Sequence, residues 1–141
     1  MNRKELAKQI YETAHITGEF LLRSGQTSNE YFDKYKFESD PELLNHIGDK
    51  MKDLVPEDTD ILAGLEMGGI PLAVILSQKT GLPAVFVRKK AKEYGTRKLA
   101  EGKDFKGKKL TIIEDVVTTG GQIVKSAEEL RELGAEVNIV L

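Results

Sequence analysis

At 141 residues, with no cysteine and a formal net charge of −2, the chain has the length of one domain with a single apolar core. Its 21 basic residues against 23 acidic ones exclude a broadly basic duplex-binding surface. The lack of thiols excludes disulfides, thiolate metal sites and a cysteine nucleophile, as expected in a reducing compartment. The opening MNRKELAKQIYETAH lacks the apolar core of a secretory signal, and the longest apolar run, IPLAVIL at 70–76, is too short to span a bilayer. The expected location is the cytoplasm.

Leu6, Ala7, Ile10, Tyr11 and Ala14 recur at helical spacing and predict an amphipathic helix over 3–15. Aliphatic and aromatic residues then alternate around SGQTSN, predicting a hairpin over 18–37. A second helix begins at SDPELL, with Asp40 as N-cap, Pro41 in the first helical position and Glu42 at the positive end of the dipole. Leu43, Leu44, Ile47, Met51 and Leu54 supply its expected buried face. After Pro56 come four short apolar runs, ILAGL (61–65), AVFVR (84–88), LTIIE (110–114) and VNIVL (137–141). Helical segments fall between them at about 70–79, closed by Gly81 and Pro83, and at 121–133, stopped by Gly134. In the second, Ile123, Ala127, Leu130 and Leu133 share one face. Strands without polar alternation, separated by helices, predict a parallel sheet covered on both faces. The fold expectation is an open, doubly wound α/β domain with an N-terminal helix and hairpin added. His15 and His46 fall on predicted helices, without zinc spacing, as surface or capping residues.

In such sheets ligands bind beyond the carboxyl ends of the strands. After the first strand, LEMGGIP offers glycines that let backbone N–H groups approach a ligand. After the third, Glu114 and Asp115 precede VVTTGGQ, which leads straight into a helix. Free N–H groups and the helix dipole at that point suit a phosphate, and Thr118 and Thr119 add hydroxyl donors. Two acids at a strand end can merely start a turn. Beside a phosphate cradle they make chemical sense if the same molecule presents hydroxyls, as a sugar phosphate does. Neither G-x-G-x-x-G after a strand, nor G-x-x-x-x-G-K-[ST], nor G-x-S-x-G occurs. The connection after the second strand gathers Arg88, Lys89, Lys90, Lys92, Arg97 and Lys98 around EYGT. Such a charge run can be a solvated turn. Its length, with no periodicity, favours a cationic lid for a second, more highly charged anion such as pyrophosphate.

IIEDVVTTGG resembles the 5-phosphoribosyl-1-diphosphate (PRPP) motif of the type I phosphoribosyltransferases. LRSGQTSNEYFDKYKFESDPELL, AGLEMGGIPLA, TGLPAVFVRKKAKEYGT and KLAEG narrow the resemblance to the orotate phosphoribosyltransferase family, over nearly the whole chain from about 18 onward. The resemblance implies the type I phosphoribosyltransferase fold. It divides the chain into an N-terminal helix and base-binding hood (1–40) and a PRPP-binding α/β core (41–141). It also implies transfer of phosphoribosyl from PRPP to orotate, giving orotidine 5′-monophosphate and pyrophosphate, with Mg²⁺ held mainly through PRPP rather than by direct protein ligands. Lys92 and Asp115 carry the catalytic roles in this family reading. Glu114 and Asp115 hold the ribose hydroxyls, while Val116, Val117, Thr118, Thr119, Gly120, Gly121 and Gln122 form the 5′-phosphate loop. Glu66 and Met67 place backbone groups at the pyrophosphate and metal, Arg88 contacts pyrophosphate, and Lys89, Lys92 and Tyr94 belong to the mobile loop. Arg23, Tyr31 and Phe32 form the hood, with Tyr31, Phe32 and Thr118 near orotate. For Tyr31 and Phe32 simple hairpin packing is the other explanation. The family further implies a homodimer with shared sites and no nucleic-acid or membrane partner.

Two departures from the family pattern stand out. Tyr94 occupies a position where many relatives carry histidine, and a phenol titrating near pH ~10 is a poor acid. Relatives also continue past the equivalent of Leu141 and place there an arginine for the orotate carboxylate, so the chain as given is expected to lack that C-terminal part. The alternatives on the same fold are a non-catalytic PRPP-binding regulator and a purine phosphoribosyltransferase. The intact cationic loop opposes the first, and the EYFDKYKFESDP segment opposes the second.

Overall fold

The computed structural model describes residues 1–96 and 98–141, so Arg97 of the expected cationic loop lies outside the described residues. The chain divides into two compact units, Met1–Ile47 and Gly48–Leu141.

In the first unit, helix α1 (Arg3–Ala14) starts with a capping box: Asn2 Oδ1 accepts the N–H groups of Lys4 and Glu5, each at 3.0 Å, and Glu5 accepts the Asn2 N–H. Only Leu6 and Ala14 of the expected stripe are buried; Ala7 and Tyr11 are exposed. The helix stops at Ala14, and His15 opens strand β1 (His15–Leu21), which pairs antiparallel with β2 (Thr27–Phe32). His15 therefore is a strand residue rather than a helical one: its Nε2 lies 2.9 Å from Glu30 and its ring stacks on Tyr11. The hairpin turn contains Gly25 at φ +84°, a left-handed conformation that a side chain resists. Residues 35–37, expected in the hairpin, instead fall in a short helix α2 (Tyr35–Glu38) that buries Phe37.

Helix α3 (Pro41–Met51) begins as its sequence dictates, with Asp40 Oδ1 accepting the N–H groups of Glu42 and Leu43 at 3.0 and 2.9 Å. His46 lies within it. Leu43 and Ile47 are buried, but Leu54 is exposed, because the helix gives way to a 3₁₀ turn (Lys52–Leu54) that rotates it off the apolar face.

In the second unit, β3 (Ile61–Leu65), helix α4 (Gly69–Thr80), β4 (Ala84–Val87), β5 (Ala100–Gly102), β6 (Lys109–Ile113), helix α5 (Gly121–Glu132) and β7 (Glu136–Val140) follow in turn. The sheet order is β5-β4-β3-β6-β7, with β5 antiparallel to β4 and the other pairings parallel. The order reverses at β3–β6. Right-handed crossovers running in opposite directions from that point put the two helices on opposite faces.

Burial agrees with that placement. Ile61, Ala63, Leu65, Val85, Val87, Leu110, Ile112 and Val137 cluster with Ala127 and Leu130 of α5. On the other face, a side chain at Gly64 would collide with Gly69 and Ala73 of α4, so the glycine sets how closely the helix seats. Full burial of Leu62, Leu76, Ile112 and Leu130 contributes roughly 1.5–3 kcal/mol each. The buried hydroxyl of Thr111 is satisfied by Thr59 at 2.8 Å. Strand β7 is the departure: Val137 is buried, whereas Ile139 and Val140 are exposed, so this run lies at an edge of the described sheet and is not covered on both faces. Leu133 is likewise exposed, one residue past the end of α5.

Candidate active site

The carboxyl ends of β3, β4 and β6 carry three loops, and two of them touch through a carboxylate. Gly68, just before α4, and Gly69, its first residue, are buried, and a methyl group added to Gly68 would run into the carboxylate of Asp115. One added to Gly69 would strike the Ile113 carbonyl. The doubled glycine thus makes room for the loop after β6, a role that the motif reading, which reserved these residues for ligand approach, did not contain.

The loop after β6 is organised from its root. Glu114 Oε1 accepts the Asp115 N–H at 3.0 Å, and Asp115 Oδ1 accepts the Val116 N–H at 2.8 Å. These short-range bonds hold both half-buried acids at the turn. Val116, Val117, Thr118 and Thr119 are all exposed, and the two valines have only backbone polar groups to offer a ligand. Gly120 stands at φ +81° and starts α5 with no side-chain cap, which leaves N–H groups of the first turn open to an anion. Thr119 Oγ1 lies 3.5 Å from the Gly121 N–H. Gln122 turns its amide along the helix, where Nε2 donates to Ser126 at 3.1 Å.

Glu66 is occupied. Its Oε1 accepts the Lys89 N–H at 2.5 Å, and its own N–H donates to Val87, which ties the β3 tip to the root of the loop after β4. The following Glu66–Met67 peptide is cis, and Met67 is exposed. Arg88 is half-buried; its N–H donates to Leu99 and its Nε is buried with no hydrogen-bond partner among the described residues. A buried guanidinium N–H without an acceptor is costly, and an anion at the strand tips would satisfy it.

Beyond Arg88 the loop is less open than expected. Residues 100–102 return as strand β5, so the connection is a shorter arm, with Arg88 bonded to Leu99 across its base. Lys89, Lys90 and Tyr94 are exposed, but Lys92 is directed inward, 3.4 Å from Glu101 on β5. The partner Glu101 escaped the motif reading; the signal was a single acid in LAEG, a strand-length run beside a cationic loop. Arg23, Tyr31 and Phe32 belong to the other unit. Arg23 is exposed, Tyr31 lies 5.6 Å from Phe20 within the hairpin, and Phe32 lies 6.1 Å from Phe37. Tyr31 and Phe32 are both more than two fifths exposed.

Among the described residues no group of three or more histidines, cysteines or acids is arranged to hold a metal ion. A cavity of ≈ 750 Å³ opens elsewhere, along β5, lined by Lys98, Leu99, Lys103, Phe105, Lys106 and Leu133 among others. None of the strand-tip acids or threonines borders it, so volume is a poor guide to the chemistry here.

An open sheet with a phosphate-type loop at its reversal point and a glycine loop packed against it defines the type I phosphoribosyltransferase class. The family model for the phosphoribosyl transferase domain matches residues 36–141. The orotate phosphoribosyltransferase of a Nocardioides species is 54% identical over 136 residues, covering 96% of this chain and 76% of that protein. The Mycobacterium tuberculosis orotate phosphoribosyltransferase solved with Fe(III) dicitrate superposes with a TM-score of 0.84 at 30% identity, covering 98% of this chain and 81% of that one. The same mycobacterial enzyme solved with PRPP gives 0.79 at 27% identity, with 98% and 79% covered. The chain belongs to the orotate phosphoribosyltransferase family, which favours this branch over the regulator and the purine-specific enzyme. Among the described residues no helix is long and apolar enough to cross a membrane.

Proposed function

We propose that the chain transfers the 5-phosphoribosyl group of PRPP to N1 of orotate, releasing pyrophosphate, as a homodimer in the cytoplasm. One observation carries the reading: Asp115, at the root of the phosphate-type loop, rests against Gly68 of the loop after β3. A single molecule bearing a monoester, vicinal hydroxyls and a diphosphate fits such a junction.

In this reading the 5′-phosphate takes the N–H groups at the start of α5, with Thr118 and Thr119 as hydroxyl donors. Glu114 and Asp115 accept from the ribose hydroxyls. Backbone groups of Glu66, Met67, Gly68 and Gly69 and the guanidinium of Arg88 face the diphosphate. As the C1–oxygen bond breaks, the electron pair leaves with pyrophosphate and the ribose becomes cationic. The carboxylates tolerate that cation, while Arg88 and Lys92 stabilise the leaving group. Orotate, deprotonated at N1 before it reacts, then gives its N1 lone pair to C1, so no protein base has to remove a proton in the step. Mg²⁺, when bound with PRPP, supplies further positive charge to the diphosphate. The carboxylate of Glu66 is engaged by the Lys89 amide, which fits an ion carried chiefly by substrate oxygens and backbone carbonyls. Arg23, Tyr31 and Phe32 are the proposed base contacts from the hairpin.

Loss of orotate absorbance on addition of PRPP and Mg²⁺ tests the reading, with adenine and hypoxanthine as competing bases. Turnover with orotate alone is the expected result; no turnover, or preference for a purine, rejects it.

A further inference from the structure

Lys92 is the loop cation assigned to the diphosphate, yet its ammonium stands 3.4 Å from Glu101 and its side chain is only 16% exposed. The same nitrogen lies 5.7 Å from the centre of the Tyr94 ring. The arm folds to hold it there: the Lys92 N–H donates to Lys98 and the Arg88 N–H to Leu99. Lys90, by contrast, pairs with Glu93 at 4.0 Å, and both side chains are over 80% exposed, so water screens that pair.

Glu101 supplies the second observation. Its Oε1 is buried and makes no hydrogen bond among the described residues. A carboxylate oxygen removed from water without a donor is tolerated only beside a cation, and Lys92 is that cation. When Lys92 departs, Glu101 must regain water. A diphosphate carries more negative charge than one carboxylate and can compete for the ammonium. We infer that Glu101 is a positioning residue that keeps Lys92 off the substrate site until a diphosphate draws it away. The inference rests on the phosphoribosyl-transfer reading for what Lys92 meets next, while the parked state itself is independent of it.

The test uses Glu101→Gln in the whole protein. With no substrate present, Lys92 is labelled by a lysine-selective acetylating reagent and read by peptide mass spectrometry, with exposed Lys90 as internal reference. Labelling of Lys92 is expected to rise about two- to fivefold relative to Lys90, as loss of a partly exposed ion pair implies. The KM for PRPP is expected to fall by a similar factor with kcat nearly unchanged, because a larger fraction of the free protein is competent to bind. Glu101→Asp, charged but shorter, falls between. In the wild type, added salt raises Lys92 labelling relative to Lys90, a measurement that stands even if the variants do not fold. Unchanged labelling in Glu101→Gln and with salt overturns the inference, and so does raised labelling with an unchanged KM. Absence of wild-type turnover would reject phosphoribosyl transfer instead, and the labelling result would still decide whether Lys92 is parked.

Discussion

The loops after β6 and β4, both proposed to hold phosphate groups, are built in opposite ways. The first fixes its acids by bonds to their immediate neighbours, opens an uncapped helix and presents backbone N–H groups. The second carries its charge on long side chains, and one of these is already paired with Glu101. A backbone cradle is complete before the ligand arrives and loses little on binding, whereas a lysine arm must give up an internal partner and rotamer freedom. Affinity is therefore expected to reside in the cradle, and control in the arm.

The largest effect tests whether packing holds the cradle in place. Leu130→Ala empties a fully buried position beneath α5 and should cost roughly 2–5 kcal/mol of unfolding free energy in a denaturant titration. Asp115→Asn removes a charged acceptor and should weaken PRPP binding about 10- to 100-fold by calorimetry. Unchanged affinity would contradict the ribose assignment. Gly68→Ala displaces the Asp115 carboxylate and should weaken PRPP by about tenfold. Combined with Asp115→Asn it should add little, since both remove one arrangement. Additive losses would mean that the two loops act separately. On the arm, Lys90→Ala should change KM by less than about threefold and lose even that in high salt.

The smallest effect is a control at the opposite end of β6. The hydrogen bond to Asp58, then the charges of Asp58 and Glu136, raise the pKa of Lys109 from its ordinary 10.5, with Asp60 adding to them. A raised folded-state pKa contributes stability that is fully present below the ordinary value and is lost as pH rises through the raised one. The Tm difference between wild type and Lys109→Gln should persist across neutral pH and vanish in strong alkali, with PRPP binding untouched.

The sheet was legible wherever the local pattern coincided with tertiary placement. ILAGL and LTIIE are central strands covered on both faces, and their apolar runs say so. VNIVL is also a mainly apolar run but lies at an edge of the described sheet, because such a run records affinity for burial and not the number of neighbours. Strand β5 was hidden for the complementary reason: three residues are too few to show a period, and pairing with β4 alone defines it. His15 was placed on a helix since nothing in MNRKELAKQIYETAH marks the stop; the chain turns there because the hairpin claims it. At the candidate site the acids, threonines and glycines could be read from spacing. The Gly68–Asp115 contact and the Lys92–Glu101 pair could not, because each joins segments that only the fold brings together.

The bond from the Arg88 amide to the Leu99 carbonyl closes the base of the arm just where β4 and β5 stop pairing. Everything distal to that closure can vary in composition or gain a residue without shifting sheet register, since loop length adds only slowly to the entropy of closure. That leaves a stretch of chain on which the proposed grip on the diphosphate can be retuned while the scaffold beneath stays as it is.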